Sequence, residues 1–193
     1  MKIQRTFPRV PGNQPIKCSH AGHQHRFDSK MPHVREAWVD IPHAALDVVA
    51  GHLPSPVLGV ASGAVSALSV VRGIQNLRAG GVEHSLEGIG NLALAASSGM
   101  HAYEALAGGE HAHGHHHTHG PGIAGTLEMV HGMAEMAIGG MELKNGDRKA
   151  LGLAKMAKGG AVVAAALIPG AAPVAHLLHL GAAMTVAVMD PTH

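Results

Sequence analysis

A glycine pattern written twice constrains this chain more than any other feature of its sequence. Gly63, Ser66, Leu68, Gly73, Gly80-Gly81 and Glu83 are matched 59 positions later by Gly122, Gly125, Leu127, Gly132, Gly139-Gly140 and Glu142. The match resumes at an offset of 62, where Ile89, Gly90, Ala95, Ser97-Ser98, Ala102 and Gly108 meet Leu151, Gly152, Ala157, Gly159-Gly160, Ala164 and Gly170. Each unit reads as a small-residue helix, a Gly-Gly turn and a second small-residue helix. A unit of this kind cannot bury much surface alone, so two of them imply helical hairpins that pack backbone against backbone. The expected fold is all-α: two duplicated Gly/Ala-rich hairpins, a C-terminal helix and an extended N-terminal arm.

Seven-residue spacing carries the packing argument. Ser66, Gly73 and Gly80 recur every seven residues, as do Gly125, Gly132 and Gly139, and Gly59 and Gly63 stand four apart in an uncharged run. Seven residues is close to two helical turns, so each set makes one smooth stripe on which another helix can close. In a solvated helix each such glycine costs roughly 0.8–1 kcal/mol relative to alanine. Close packing or a membrane must offset that cost. Gly59, Gly63, Gly73, Gly80, Gly125, Gly132 and Gly139 are therefore the expected helix-packing positions.

Composition points the same way. Aromatic residues are 2% of the 193 and charged residues 14%, so large core anchors are nearly missing and the surface is poor in charge. Gly159 to Met189 holds no Asp, Glu, Lys or Arg. A spanning helix needs about 20 apolar residues, and Pro169 and Pro173 cut this run into two pieces, which favours a tightly turned pair over one span. Glu128, Glu135, Lys155 and Lys158 fall within the would-be helices. A central charge costs roughly 2.5–3.5 kcal/mol on insertion, so insertion is expected to be conditional. A net charge of +1, with no basic-aromatic interleaving, gives no reason to expect a nucleic-acid partner.

The chain divides into an arm at 1–33, a short helix and proline linker at 34–56, a first hairpin at 57–108, a histidine-rich linker at 109–121, and a second hairpin with the terminal helix at 122–189. Asp40-Ile-Pro42 reads as the start of the short helix. The second hairpin turns between Gly139 and Asp147, where Lys-Asn-Gly-Asp is a turn signal. The first residues are positively charged but lack an apolar stretch, so the reading is no cleavable signal peptide. A membrane-associated protein, or one exported by a signal-independent route, is expected, and otherwise a cytoplasmic one.

Two histidine-rich clusters offer metal chemistry. His111, His113, His115, His116, His117 and His119 can capture zinc or another divalent transition metal, although their irregular, Gly-punctuated spacing specifies no fixed geometry. Cys18, His20, His23 and His25 form a weaker cluster, with a lone thiol. His176 and His179 share a face of the last helix and read as packed or interfacial side chains. Glu128, Glu135 and Glu142 recur every seven residues and read as a solvated or subunit-facing stripe. No nucleophile elbow, phosphate loop or zinc-protease motif is present, and no small-molecule substrate is evident, so a non-enzymatic protein is expected.

The run from Gly73 through Gly80-Gly81 to Gly88-Ile-Gly90, and its echo from Gly132 to Gly160, resembles the hydrophobic Gly/Ala helical hairpins of bacterial toxins and effectors delivered by specialised secretion systems. The resemblance covers about Val57 to Ile168 and lies in composition. It implies insertion into a target-cell membrane and export without a cleaved signal. The histidine-rich linker departs from that pattern and is similar to cytosolic loops of zinc transporters, whereas the few, interrupted apolar spans are unlike a transporter. Two functions follow: a membrane-active protein whose hairpins insert or self-associate through glycine stripes, or a soluble helical scaffold or assembly subunit with a transition-metal-binding loop.

Overall fold

Prolines and glycines set the limits of each helix. The computed structural model describes residues 33–107, 122–146, 148–168 and 170–190. The expected arm, apart from His33, and the histidine-rich linker lie outside them. The described residues form six α-helices and no strand: α1 (Ala37–Val49), α2 (Ser55–Ala79), α3 (Val82–Leu106), α4 (Ile123–Asn145), α5 (Lys149–Leu167) and α6 (Ala172–Met189). A 3-10 turn at Ala50–His52 follows α1. Pro56 and Pro173 sit in the first turns of α2 and α6, where the missing N–H costs nothing.

The first helix departs from expectation. It begins at Ala37, before Asp40, and carries Pro42 inside it. Proline so placed removes a backbone hydrogen bond. The buried ion pairs of Glu36 and Asp40, described below, hold this first turn in place against that loss.

Each hairpin closes on glycine, but not at equivalent positions. Between α2 and α3 the chain turns at Gly80 and Gly81, with φ of 74° and 90°, a left-handed conformation that disfavours any side chain. The matching Gly139-Gly140 makes no turn. α4 continues to Asn145 and is capped by Gly146 at φ 86°, whose N–H donates to the Glu142 carbonyl. Met141 to Lys144 are good helix formers, and Glu142 is anchored by Lys155, so the helix runs through the glycine pair to the Lys-Asn-Gly signal.

The seams show what the glycines do. A Cβ added at Gly73 would lie 2.9 Å from Leu92 and 3.1 Å from the Gly88 carbonyl, and one at Gly59 would lie 2.5 Å from Leu106 and 3.2 Å from the Ala102 carbonyl. Between these levels the Ser66 hydroxyl donates to the Ala95 carbonyl at 2.7 Å. Seven residues forward on α2 thus go with seven back on α3. In the second hairpin a Cβ at Gly132 would lie 2.7 Å from the Gly159 carbonyl, and one at Gly139 would lie 2.5 Å from that of Gly152. Gly63 has only the Ala102 Cβ nearby, at 3.8 Å. Gly125 lies half-buried on α4. The close approaches of Gly59, Gly73, Gly132 and Gly139 are all made within this chain's own hairpins.

Packing runs from α1 to α2, α2 to α3, α3 to α4, α4 to α5, α5 to α6, and from α6 back to α1. The six helices therefore form a closed ring of neighbours. A small apolar core of Val34, Val39 and Leu94, flanked by Leu68 and Val71, fills one level of its interior. Val65, Ile138, Leu151, Val162 and Val186 are buried elsewhere, and alongside them the interior holds a large set of polar and charged side chains.

Candidate functional site

One face of α1 begins the site. Glu36, Asp40, His43 and Asp47 follow at steps of four, three and four residues, which places them on one side of a helix. On α4 the same logic aligns Glu128, His131, Glu135 and Glu142, a row roughly 21 Å long at about 1.5 Å per residue. Both rows point into the ring. They meet Arg72 of α2, which also pairs with Glu87 of α3, Lys155 and Lys158 of α5, and His176 and His179 of α6. The expected solvated stripe of Glu128, Glu135 and Glu142 is thus an interior one: Glu135 and Glu142 are buried, and all three have ion-pair partners.

Lys158 is the hub. Its side chain is 0% exposed, and its ammonium donates to Glu36 Oε1 at 2.5 Å and to Asp40, and lies 2.9 Å from Glu135 Oε2. Arg72, 2% exposed, donates to the Val34 carbonyl at 2.8 Å and to Glu87, and stands 3.6 Å from Glu36 Oε2. Nearer the tight turns, Lys155 donates to Glu142 at 3.1 Å. Around Arg72 and Lys158, four carboxylates face two cations. The surplus is divided unequally. Burial would raise the Asp40 carboxyl, but Lys158 and Arg72 hold it below the ordinary range. At Glu135 burial prevails, helped by Glu36 and Asp40, and pushes the carboxyl up to about 8.

The other end of the axis is built from imidazoles. His43 and His179 lie with ring centroids 5.5 Å apart, and His43 and His131 with centroids 6.4 Å apart, both edge to face. Burial pushes His131 down to about 3, so its ring is neutral near pH 7. Asp47 Oδ2 stands 3.7 Å from His43 Nε2, 3.7 Å from His179 Nδ1 and 3.5 Å from His176 Nδ1. Beyond this group Glu128 accepts from Ser97 at 2.8 Å and lies 3.2 Å from His101 Nε2.

Two groups on the axis have the donor types of a cation site, each with its ligand atoms within 4.8 Å of one another: Glu36, Asp40 and Glu135, and His43, Asp47 and His179. In the first the Lys158 ammonium already stands among the oxygens. The metal ligands expected from the sequence, Cys18, His20, His23 and His25 and His111, His113, His115, His116, His117 and His119, all lie outside the described residues. The local sequence signal for the two groups on the axis is the four-three-four spacing of Glu36, Asp40, His43 and Asp47. No one element carries the rest of the site, which ring closure assembles.

The outside of the ring is the complement of its interior. On α2 the outward residues Val57, Val60, Ala64, Ala67, Val70, Ile74 and Leu77 are exposed, while Ser62, Ser69, Arg72 and Asn76 are buried. On α6 Val174, Leu177, Leu178, Met184 and Val188 face out and His179 faces in. Among the described residues from α2 to α6, exposed Asp, Glu, Lys and Arg side chains occur only in the last or first turns, as at Arg78, Glu104, Lys144 and Lys149, or between helices, as at Arg148. Among the described residues α2, α5 and α6, of 25, 19 and 18 residues, are long and apolar enough to cross a membrane. Comparison of the chain with protein-family models, curated proteins and solved structures finds no match.

Proposed function

We propose that this chain is a non-enzymatic, membrane-active helical protein whose α2, α5 and α6 enter lipid. The observation that carries this reading is the inverted distribution of polarity: charge on the axis, aliphatic side chains on the outside. A water-soluble bundle gains stability by the opposite arrangement. In lipid, ionisable side chains are tolerated where they face the bundle interior and pair with one another, as Arg72 and Lys158 do here. In the ring α5 and α6 are neighbours, and α1 alone separates α6 from α2, so the three apolar helices lie on one arc. Along it an open apolar groove of about 770 Å³ runs between α5 and α6, with Gly160, Ala164, Leu178 and Gly181 in its lining.

Charge at the ends supports an orientation. Arg78, Lys144, Arg148 and Lys149 gather where α2 turns into α3 and α4 into α5, and an excess of Lys and Arg marks the side of a membrane that is not translocated. The resemblance to secreted effectors is consistent with delivery to a target membrane. Flotation of the purified protein with liposomes, combined with dye release between pH 5 and 8, tests the proposal. Co-flotation is expected, and protein left wholly in the soluble fraction refutes it. The competing reading is a soluble assembly in which further copies cover the apolar arc. It would give a discrete oligomer in detergent-free buffer with no lipid affinity.

A further inference from the structure

We propose that His43, Asp47 and His179 form a binding site for a divalent transition-metal ion of the zinc class, with His176 as an additional ligand. This inference stands apart from the membrane reading, because the site lies inside the ring whatever covers its outer wall. Three observations carry it.

The first is unmet hydrogen-bonding capacity. His43, His131 and His179 are buried, and His43 Nδ1 and both ring nitrogens of His131 and of His179 have no hydrogen-bond partner. Buried polar groups are nearly always partnered, and an orphan costs about 1–3 kcal/mol. Of the five, His179 Nδ1 is the one that faces Asp47 Oδ2, and it is the orphan that an ion bound there would satisfy; His43 faces Asp47 through Nε2.

The second is distance. Asp47 Oδ2 is 3.5–3.7 Å from one nitrogen of each of His43, His176 and His179. Those separations are too long for hydrogen bonds. They are close to the edge of a tetrahedron around zinc, where donors about 2.0–2.1 Å from the ion stand roughly 3.3 Å from one another. The donor atoms of His43, Asp47 and His179 all lie within 4.8 Å of one another, so an inward shift of these three side chains brings them onto one ion, whereas His176 Nδ1, close to Asp47 but outside that group, reaches it only by a larger movement.

The third is chemistry. Two or three imidazoles with one carboxylate suit zinc, nickel, copper or cobalt, whereas calcium and magnesium prefer all-oxygen shells. Among the described residues Asp47 pairs with histidines and with no lysine or arginine, in contrast to the Lys158 ammonium among Glu36, Asp40 and Glu135. The His131 ring packs edge to face on His43 and is a positioning residue for it.

The test must silence the other histidine clusters. In a full-length background protein, His111, His113, His115, His116, His117 and His119 are replaced by Ser, and Cys18→Ser, His20→Gln, His23→Gln and His25→Gln are added. Titration of this protein with Co²⁺ alone should give one equivalent of a complex with the intense visible absorption of four-coordinate cobalt, displaced by Zn²⁺. In the same background, Asp47→Asn and His179→Gln should each weaken binding by more than about 100-fold, beyond the usual effect of losing a second-layer contact. X-ray absorption at the zinc edge of the background protein needs no site variant, and is expected to show a nitrogen/oxygen shell with two or three imidazoles. A shell of water and carboxylate oxygen only, no cobalt band, or a band that survives both substitutions in folded protein would overturn the proposal.

Discussion

Replacing Lys158 with methionine should remove a large part of this protein's stability. The substitution keeps most of the side-chain volume and removes one charge, leaving Glu36, Asp40 and Glu135 around an apolar group in a fully buried position. At about 3 Å and an effective dielectric of about 20, each contact between full charges carries roughly 5–6 kcal/mol of attraction, and the Glu135 contact carries less near neutral pH because burial pushes that carboxyl up to about 8. Desolvation of both partners cancels most of that in the intact cluster. What counts in the variant is the uncompensated charge, and breaking a buried cluster by removing one member costs about 3–5 kcal/mol. Single domains have about 5–15 kcal/mol in total. The assay is guanidinium unfolding followed by far-UV circular dichroism in mild detergent. Adding Glu135→Gln and Asp40→Asn to Lys158→Met leaves only Glu36, which keeps Arg72 beside it, and should restore stability to within about 1–2 kcal/mol of the wild type. A single-variant loss below about 1 kcal/mol, the range of an exposed pair, would falsify the hub, and so would a triple variant no better than the single.

Gly159→Ala should lower the melting temperature, because its Cβ would lie 2.2 Å from the Gly132 carbonyl, whereas Gly160→Ala meets open space and should stabilise by about 0.5–1 kcal/mol; equal effects in thermal melts would contradict the seam. Stability should form a plateau in pH. His131 is held at about 3 against an ordinary 6.5, so its contribution is present above 6.5 and drains as pH falls toward 3. Glu135 is raised to about 8 from 4.5, so its contribution is present below 4.5 and drains as pH rises toward 8. The two oppose between 4.5 and 6.5, and Asp40, held below its ordinary value, adds to the loss on the acid side; unfolding midpoints should show the acid flank made shallower by His131→Gln and the alkaline flank by Glu135→Gln. Leu178→Glu, on the outward face of α6, should abolish liposome flotation while leaving the dichroism spectrum unchanged. Calorimetric titration with Ni²⁺ should find that the Ser-substituted linker variant loses low-selectivity binding, and that the wild type binds more weakly at pH 5.5 than at 7.5 because ligating imidazoles must be neutral.

The hairpins were legible because glycine leaves a mark at both scales that matter. Gly80-Gly81 announces a turn, and the seven-residue recurrence of Gly73 and Gly132 announces a stripe. The same residue type misleads at Gly139-Gly140, where the pattern of the first hairpin suggests a turn and the chain instead uses both residues inside a helix. Local sequence cannot separate these uses, since they differ only in whether a helix-forming stretch anchored by Lys155 follows. The polar axis was harder to read. Convention assigns charged residues to the solvent face, and here that rule is reversed by partners far away in sequence: Glu36 meets Lys158 across 122 positions. Nothing within α4 says that Glu135 is buried. The pairing appears only when α1 closes the ring, and α1 was itself misplaced, since Pro42 looked like its beginning and lies inside it.

The ring has one seam unlike the others. Every other packed pair joins helices consecutive in the chain, so each can form by local closure during synthesis or insertion. The seam between α1 and α6 joins the two ends of the described chain, and its closure has the highest entropic cost, which grows only slowly with loop length but is greatest here. His43 and Asp47 stand on one side of that seam, His176 and His179 on the other. A ligand bound between them acts as a clasp: it binds the closed ring and not the open chain, so its binding free energy is set against the closure of the longest loop and keeps the charged axis covered.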